Sequence, residues 1–182
     1  MSMPTIYLNP SNQKNEFVTG GYEEYYMNLI ADAMVPYLEG SGIEVTRSKP
    51  GEDLAASIEA SNAGNYDLHL GLQTTTSPEY LTGTLQGPSF IYYADNPKGQ
   101  EAAYIIAENL RAIYPRPNLV TTMPSRTMQE LRDTKATSVV AELGYHDNTL
   151  DAMWIQDNIK SIGRILALGV SQYFGIPFLK RA

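Results

Sequence analysis

The chain has no cysteine, a single tryptophan and only two histidines in 182 residues. Without thiols there is no disulfide framework, no thiolate metal site and no cysteine nucleophile. Cations are also scarce, with 13 Lys and Arg against 20 Asp and Glu for a net charge of −7. A nucleic-acid partner needs clustered cations to neutralise phosphates, so that class is excluded. The one basic pair, Lys180-Arg181, reads as a solvated tail. No run approaches the roughly 20 apolar residues of a membrane span. Met1-Ser2-Met3-Pro4 lacks the basic and apolar regions of a secretory leader. The expectation is a protein that is cytoplasmic as encoded, or one that leaves the cell without such a leader.

What is present is ordinary globular material: 43% hydrophobic and 18% charged residues. Apolar strands alternate with amphipathic helices. Strands are expected at Thr5 to Leu8, Ile43 to Thr46, Tyr66 to Leu72, Phe90 to Tyr93, Leu119 to Thr122 and Ser138 to Ala141. Helices are expected over Tyr22 to Leu38, Asp53 to Ala63, Gly99 to Tyr114, Leu150 to Asp157 and Ile159 to Tyr173. In the first of these Tyr26, Leu29, Ile30, Ala33, Met34 and Tyr37 recur at helical spacing, and in the second Leu54, Ile58 and Ala60 are read as inward. The pattern predicts one α/β domain over 1–182, in three layers: a mostly parallel, twisted sheet of about six strands with helices on both faces. The stretch from Gln73 to Gly87 lacks a periodic signal and is the candidate binding loop.

Ligands of open α/β sheets gather at the carboxyl ends of the strands. Asn12, Gln73 and Glu142 are expected there, and Glu24 opens the first long helix. Ser57, Ser61 and Ser125 have no base paired with them nearby in sequence, so a serine triad has no support. The tyrosines of Tyr22 to Tyr26 and Tyr92-Tyr93 are read as core and rim packing, and Trp154 as a residue that packs a C-terminal helix onto the sheet.

The order of several short motifs carries more than any of them alone. They are Leu8-Asn9-Pro10-Ser11-Asn12, Glu24 four residues before Asn28, Val45-Thr46-Arg47, Asn62 to Asp67 leading to Gly71-Leu72-Gln73, Leu131-Arg132, and Val139 to Asn148 with Glu142-Leu143-Gly144 inside it. In this order, over almost the whole chain, they resemble the zinc-dependent N-acetylmuramoyl-L-alanine amidases, the catalytic domains of bacterial autolysins and phage lysins. The resemblance implies the three-layer fold, a peptidoglycan substrate, Glu24 as a zinc ligand and Glu142 as the catalytic acid/base. It also implies ligand contacts for Asn12, Asn28, Gln73 and Arg132.

Two positions depart from that pattern. The family's two zinc-binding histidines fall here on Asn12 and Gln73. Zinc favours imidazole and thiolate over a neutral amide oxygen, and without a Lewis acid a lone Glu142 has no activated water. His69 lies four residues before Gln73, roughly 13 Å down the strand, and cannot share an ion with it. His146, four residues after Glu142, is the possible substitute ligand. The leading expectation is therefore a muropeptide-binding pseudoenzyme with no cofactor, and with zinc only if the family site works after all. Two alternatives stand beside it. One is an active metal-dependent amidase that uses His146 or a hard cation on the oxygens of Glu24, Glu142, Asn12 and Gln73. The other is a structural or interaction module on an amidase fold. Without a leader, action on a cell wall is expected only after lysis or non-classical export.

Overall fold

The computed structural model describes residues 2–179; the Lys180-Arg181 pair lies outside them. Six strands form one sheet: β1 (Thr5–Pro10), β2 (Glu44–Arg47), β3 (Leu68–Thr75), β4 (Ser89–Tyr93), β5 (Thr121–Ser125) and β6 (Ser138–Tyr145). Their order is β2-β1-β3-β6-β4-β5. Only the β4–β6 pair is antiparallel. The helices are α1 (Glu23–Gly40), α2 (Leu54–Ala63), α3 (Pro97–Arg111), the single turn α4 (Gln129–Arg132), α5 (Thr149–Asp157) and α6 (Ile159–Tyr173). The mostly parallel sheet flanked by helices agrees with the fold expected from the sequence. Among the described residues no helix is long and apolar enough to cross a membrane.

Local chemistry explains the helix starts. Asp53, Asn96 and Asn148 precede α2, α3 and α5, and each side chain accepts a bond from the backbone N–H three residues on. That satisfies donors the helix itself cannot pair. Helix α1 has no side-chain cap but carries Glu23 and Glu24 in its first turn, where the helix dipole favours negative charge.

The central strands β3 and β6 are covered on both sides. Leu68, Leu70 and Leu72 join Met27, Ile30 and Met34 of α1 in the larger core, with Val139, Ala141 and Leu143 of β6 beside them. The alternate residues of β3, His69, Gly71 and Gln73, face the opposite way, toward α2 and α4. Trp154 belongs to the larger core and meets Tyr114 edge-on at 4.9 Å.

Several expectations need correction. Strands β3 and β6 run on to Thr75 and Tyr145, so Gln73 and Glu142 are paired ladder residues rather than residues beyond strand ends. The buried stripe of α1 is Glu23, Met27, Ile30, Ala31, Met34 and Leu38, one position round from the stripe that the tyrosines suggest. Helix α2 buries Ser57, Ile58 and Ser61, while Leu54 is half-buried and Ala60 exposed. Ile58 is inward as expected, and the sheet beneath α2 is polar there, so Ser57 and Ser61 share its face while Ala60 points away. Tyr92 is buried, but Tyr22 and Tyr25 are exposed. The expected Gln73–Gly87 loop begins inside β3 and is pinned by Asp147, which accepts from the Ser77 and Gly83 N–H groups at 3.1 and 2.8 Å.

Helices α1 and α6 approach closely because Gly163 has no side chain. A Cβ there would lie 2.5 Å from that of Ala33 and 3.1 Å from the Ile30 carbonyl oxygen. Gly163→Ala is expected to cost about 1–3 kcal/mol by overpacking, read as a lower urea midpoint with an unchanged slope.

Candidate functional site

Two polar clusters meet at the carboxyl end of the sheet, separated by the central strands. The first is on the α1 side. Glu23 is 1% exposed, yet four protein donors converge on its carboxylate. Oε2 accepts from the Ser11 hydroxyl at 2.5 Å and from Asn15 Nδ2 at 3.4 Å. Oε1 accepts from the Thr74 N–H at 2.7 Å and from the Thr74 hydroxyl. Charge-assisted bonds of this kind compensate a buried carboxylate. Thr74 Oγ1 also lies 3.0 Å from His146 Nδ1. Its one proton is directed to Glu23, so Oγ1 accepts from His146, which assigns the proton to Nδ1. The imidazole stacks on Phe17 with centroids 6.3 Å apart.

The second cluster lies on the α2 side. Gln73 and Glu142 are directly opposed in the β3–β6 ladder, and Gln73 Nε2 donates to Glu142 Oε2 at 3.1 Å. Burial pushes the Glu142 carboxyl up, the bond from Gln73 works against this, and the charge of Glu23 adds to the rise. Deeper on the same face, Ser61 Oγ sits 2.9 Å from His69 Nδ1, and His69 Nε2 sits 2.8 Å from Glu130 Oε1. Ser61 therefore does have a paired base, contrary to the expectation from sequence spacing. All three residues are buried. The serine also faces the ring nitrogen opposite to the one a serine nucleophile uses. The chain ties α2, β3 and α4 together and is closed to a substrate.

The remaining expected site residues are spread apart. Glu24 is one position round α1 from the buried stripe and pairs with Lys14 at 2.5 Å. Asn12 Nδ2 donates to the Glu52 carbonyl at 2.7 Å. Asn28 accepts from Arg47 Nη2 at 2.8 Å, and Arg47 also pairs with Asp32. Arg132 forks onto its neighbour Asp133 at 2.9 and 3.1 Å. His146 reaches the Glu23 network through Thr74 rather than pairing with Glu24 or Glu142. Among the described residues no three His, Asp or Glu side chains are gathered so as to hold a metal ion.

Sequence reasoning missed Glu23, Ser11, Thr74, Asn9 and Glu130. A signal for Glu23 does exist: it stands four and seven residues before Met27 and Ile30, on the buried stripe of α1.

No protein-family model matches the chain, and no curated protein matches it. Solved structures do. An N-acetylmuramoyl-L-alanine amidase from Clostridium difficile 630 superposes with a TM-score of 0.83 at 16% identity, over 96% of this chain and 98% of that one. The chain has an amidase fold. The N-acetylmuramoyl-L-alanine amidase AmiC2 of Nostoc punctiforme gives 0.82 at 15% identity, over 94% and 97%. The catalytic domain of the CD27L endolysin targeting Clostridia difficile gives 0.74 at 20% identity, over 93% and 97%. Within this amidase-like frame, the rim positions carry amides, hydroxyls and carboxylates bonded to one another.

The two carboxylates differ in what they contribute. Glu23→Ala strands the buried Thr74 N–H and the Ser11 hydroxyl, and should cost about 3 kcal/mol in urea unfolding. Glu24→Ala removes a partly solvated ion pair and should cost about 0–1 kcal/mol. For Glu142 the raised pKa means that the ionised native state carries a penalty at neutral pH. Glu142→Gln should therefore raise the Tm at pH 7. The gain should shrink as pH falls and vanish below about 4, where the parent carboxyl is protonated in both folded and unfolded chains.

Proposed function

We propose that this protein binds peptidoglycan fragments, of the muramoyl-peptide class, over the carboxyl ends of β1, β3 and β6, and does not hydrolyse them. The observation that carries this reading is the saturation of Glu23 by Ser11, Asn15 and Thr74. A metal there would have to displace protein donors already in place. The donor chemistry nearby fits zinc poorly. Asn12 and Gln73 offer only amide oxygens, Glu24 is held by Lys14, and His146, whose Nδ1 is bonded to Thr74, is the one imidazole near these groups. The partner of Glu142 is the neutral amide of Gln73, which is no Lewis acid able to activate water or polarise a scissile carbonyl.

The choice of ligand class is supported by the likeness to amidases whose names specify the N-acetylmuramoyl-L-alanine bond. It is supported also by an open groove along the first turns of α1, where Tyr22 and Tyr25 are exposed next to Lys14 and Glu24. Aromatic rings with polar edges present both an apolar face and hydrogen-bonding partners to a sugar or peptide.

Calorimetric titration of the metal-analysed protein with a muramoyl dipeptide is the test. Saturable binding is expected, without release of a free alanyl amine and without any gain on adding zinc. Tyr25→Ala should weaken binding about 3–10-fold. Stoichiometric zinc with chelator-sensitive hydrolysis would instead establish an active amidase. Absence of affinity for muramoyl peptides and glycan strands alike would leave the interaction-module reading.

A further inference from the structure

His146 stands just beyond β6, and its backbone is tied on both sides. Its N–H donates to the Thr75 carbonyl at 2.9 Å, and its carbonyl accepts from the Val18 N–H at 2.9 Å. Its neighbour Asp147 accepts from the Ser77 and Gly83 N–H groups of the loop after β3. The ring is fixed as well, stacked on Phe17 and bonded through Nδ1 to Thr74 Oγ1. A side chain held in this way has little freedom left to lose when a ligand arrives.

The hydrogens of this chain follow from its buried end. The Thr74 hydroxyl donates its single proton to the Glu23 carboxylate, so toward His146 it presents a lone pair. The ring nitrogen that faces it therefore carries the hydrogen. A neutral imidazole has only one, which leaves Nε2 as a bare acceptor. A free histidine side chain in water favours the opposite tautomer; here the Glu23–Thr74 chain imposes the less common one. Among the described residues the buried side-chain N and O atoms without a partner are Ser48 Oγ, Ser77 Oγ and Thr134 Oγ1. His146 Nε2 is also unpaired but is not one of them, so it opens to solvent at the rim.

We propose that His146 Nε2 is a preset acceptor for an amide N–H or hydroxyl of the bound ligand, with Thr74 as its positioning residue. This role rests on the reading above that muramoyl peptides bind over the strand ends, and it names the group that reads their donors. Such ligands carry both amide N–H and hydroxyl groups. A carbonyl or carboxylate in the same place would set lone pair against lone pair, which gives the contact its selectivity. When Nε2 accepts a bond, the ring draws on its Nδ1–H, and Thr74 passes the polarisation on to the charge of Glu23. The buried carboxylate thus supports the ligand contact from behind without touching the ligand.

The test uses the full chain with ring-¹⁵N histidine. Long-range ¹H–¹⁵N spectra of the neutral imidazole should show His146 protonated at Nδ1 in the parent and in Thr74→Ser. Thr74→Val should move the hydrogen to Nε2. On titration with a muramoyl dipeptide, the Nε2 resonance should shift saturably. His146→Phe keeps a ring against Phe17 but removes the lone pair, and should weaken dipeptide binding about tenfold. It carries the test if Thr74→Val does not fold, and the Nε2 shift of the parent does so if neither variant folds. A parent His146 with its hydrogen on Nε2, an Nε2 signal unmoved at saturation, or unchanged affinity in His146→Phe would each overturn this role and leave the binding reading standing. Failure of the parent chain to bind the dipeptide at all would overturn both.

Discussion

A carboxylate removed from water must find donors or lose its charge, and at Glu23 the fold supplies four. That requirement organises the carboxyl end of the sheet. Ser11 follows β1, Asn15 lies on the way into α1, and Thr74 belongs to β3. Through Thr74 the network reaches His146, just beyond β6. One side chain thus holds together three strand ends and a helix start. Each bond is modest in net terms, but leaving any of these buried donors without its acceptor is costly. The same saturation leaves Glu23 little capacity for an additional ligand, and so bears directly on what the rim can do.

Strand β3 divides the molecule chemically. Its leucines face α1 in the larger apolar core, while His69, Gly71 and Gln73 look into a polar layer under α2 and α4. The period of two makes this division strict, because neighbouring residues cannot share a face. In consequence Gln73 and Thr74, adjacent in the chain, serve different clusters. Asn9, Ser61, His69 and Glu130 form a continuous buried hydrogen-bonded chain where a sheet–helix contact is more often apolar. Buried chains of this type favour one packing geometry, since breaking any of their bonds strands a polar group.

The element order and the sheet class were legible in the sequence because both follow from apolar periodicity. Ser138 to Ala141 read as a strand from its apolar run, and Ile159 to Tyr173 as a helix. The site was less legible. Glu23 and Glu24 are adjacent acidic residues in a first turn, and the tyrosines of that helix mimic an inward stripe one position away from the true one. Propensity treats the two glutamates alike; only packing against β1 and β3 separates them.

The sequence by itself determined an α/β chain without thiols and with only two imidazoles, one of them deep in a strand, which leaves the rim to oxygens, amides and His146. Tertiary structure alone decided which of those oxygens are spent on each other. The bond of Thr74 to Glu23 spans 51 residues, that of Gln73 to Glu142 spans 69, and that of Asn9 to Glu130 spans 121. No local pattern encodes pairings at such separations. They exist because strand register and helix docking bring distant groups within hydrogen-bonding reach, where burial makes it costly to leave them unpaired.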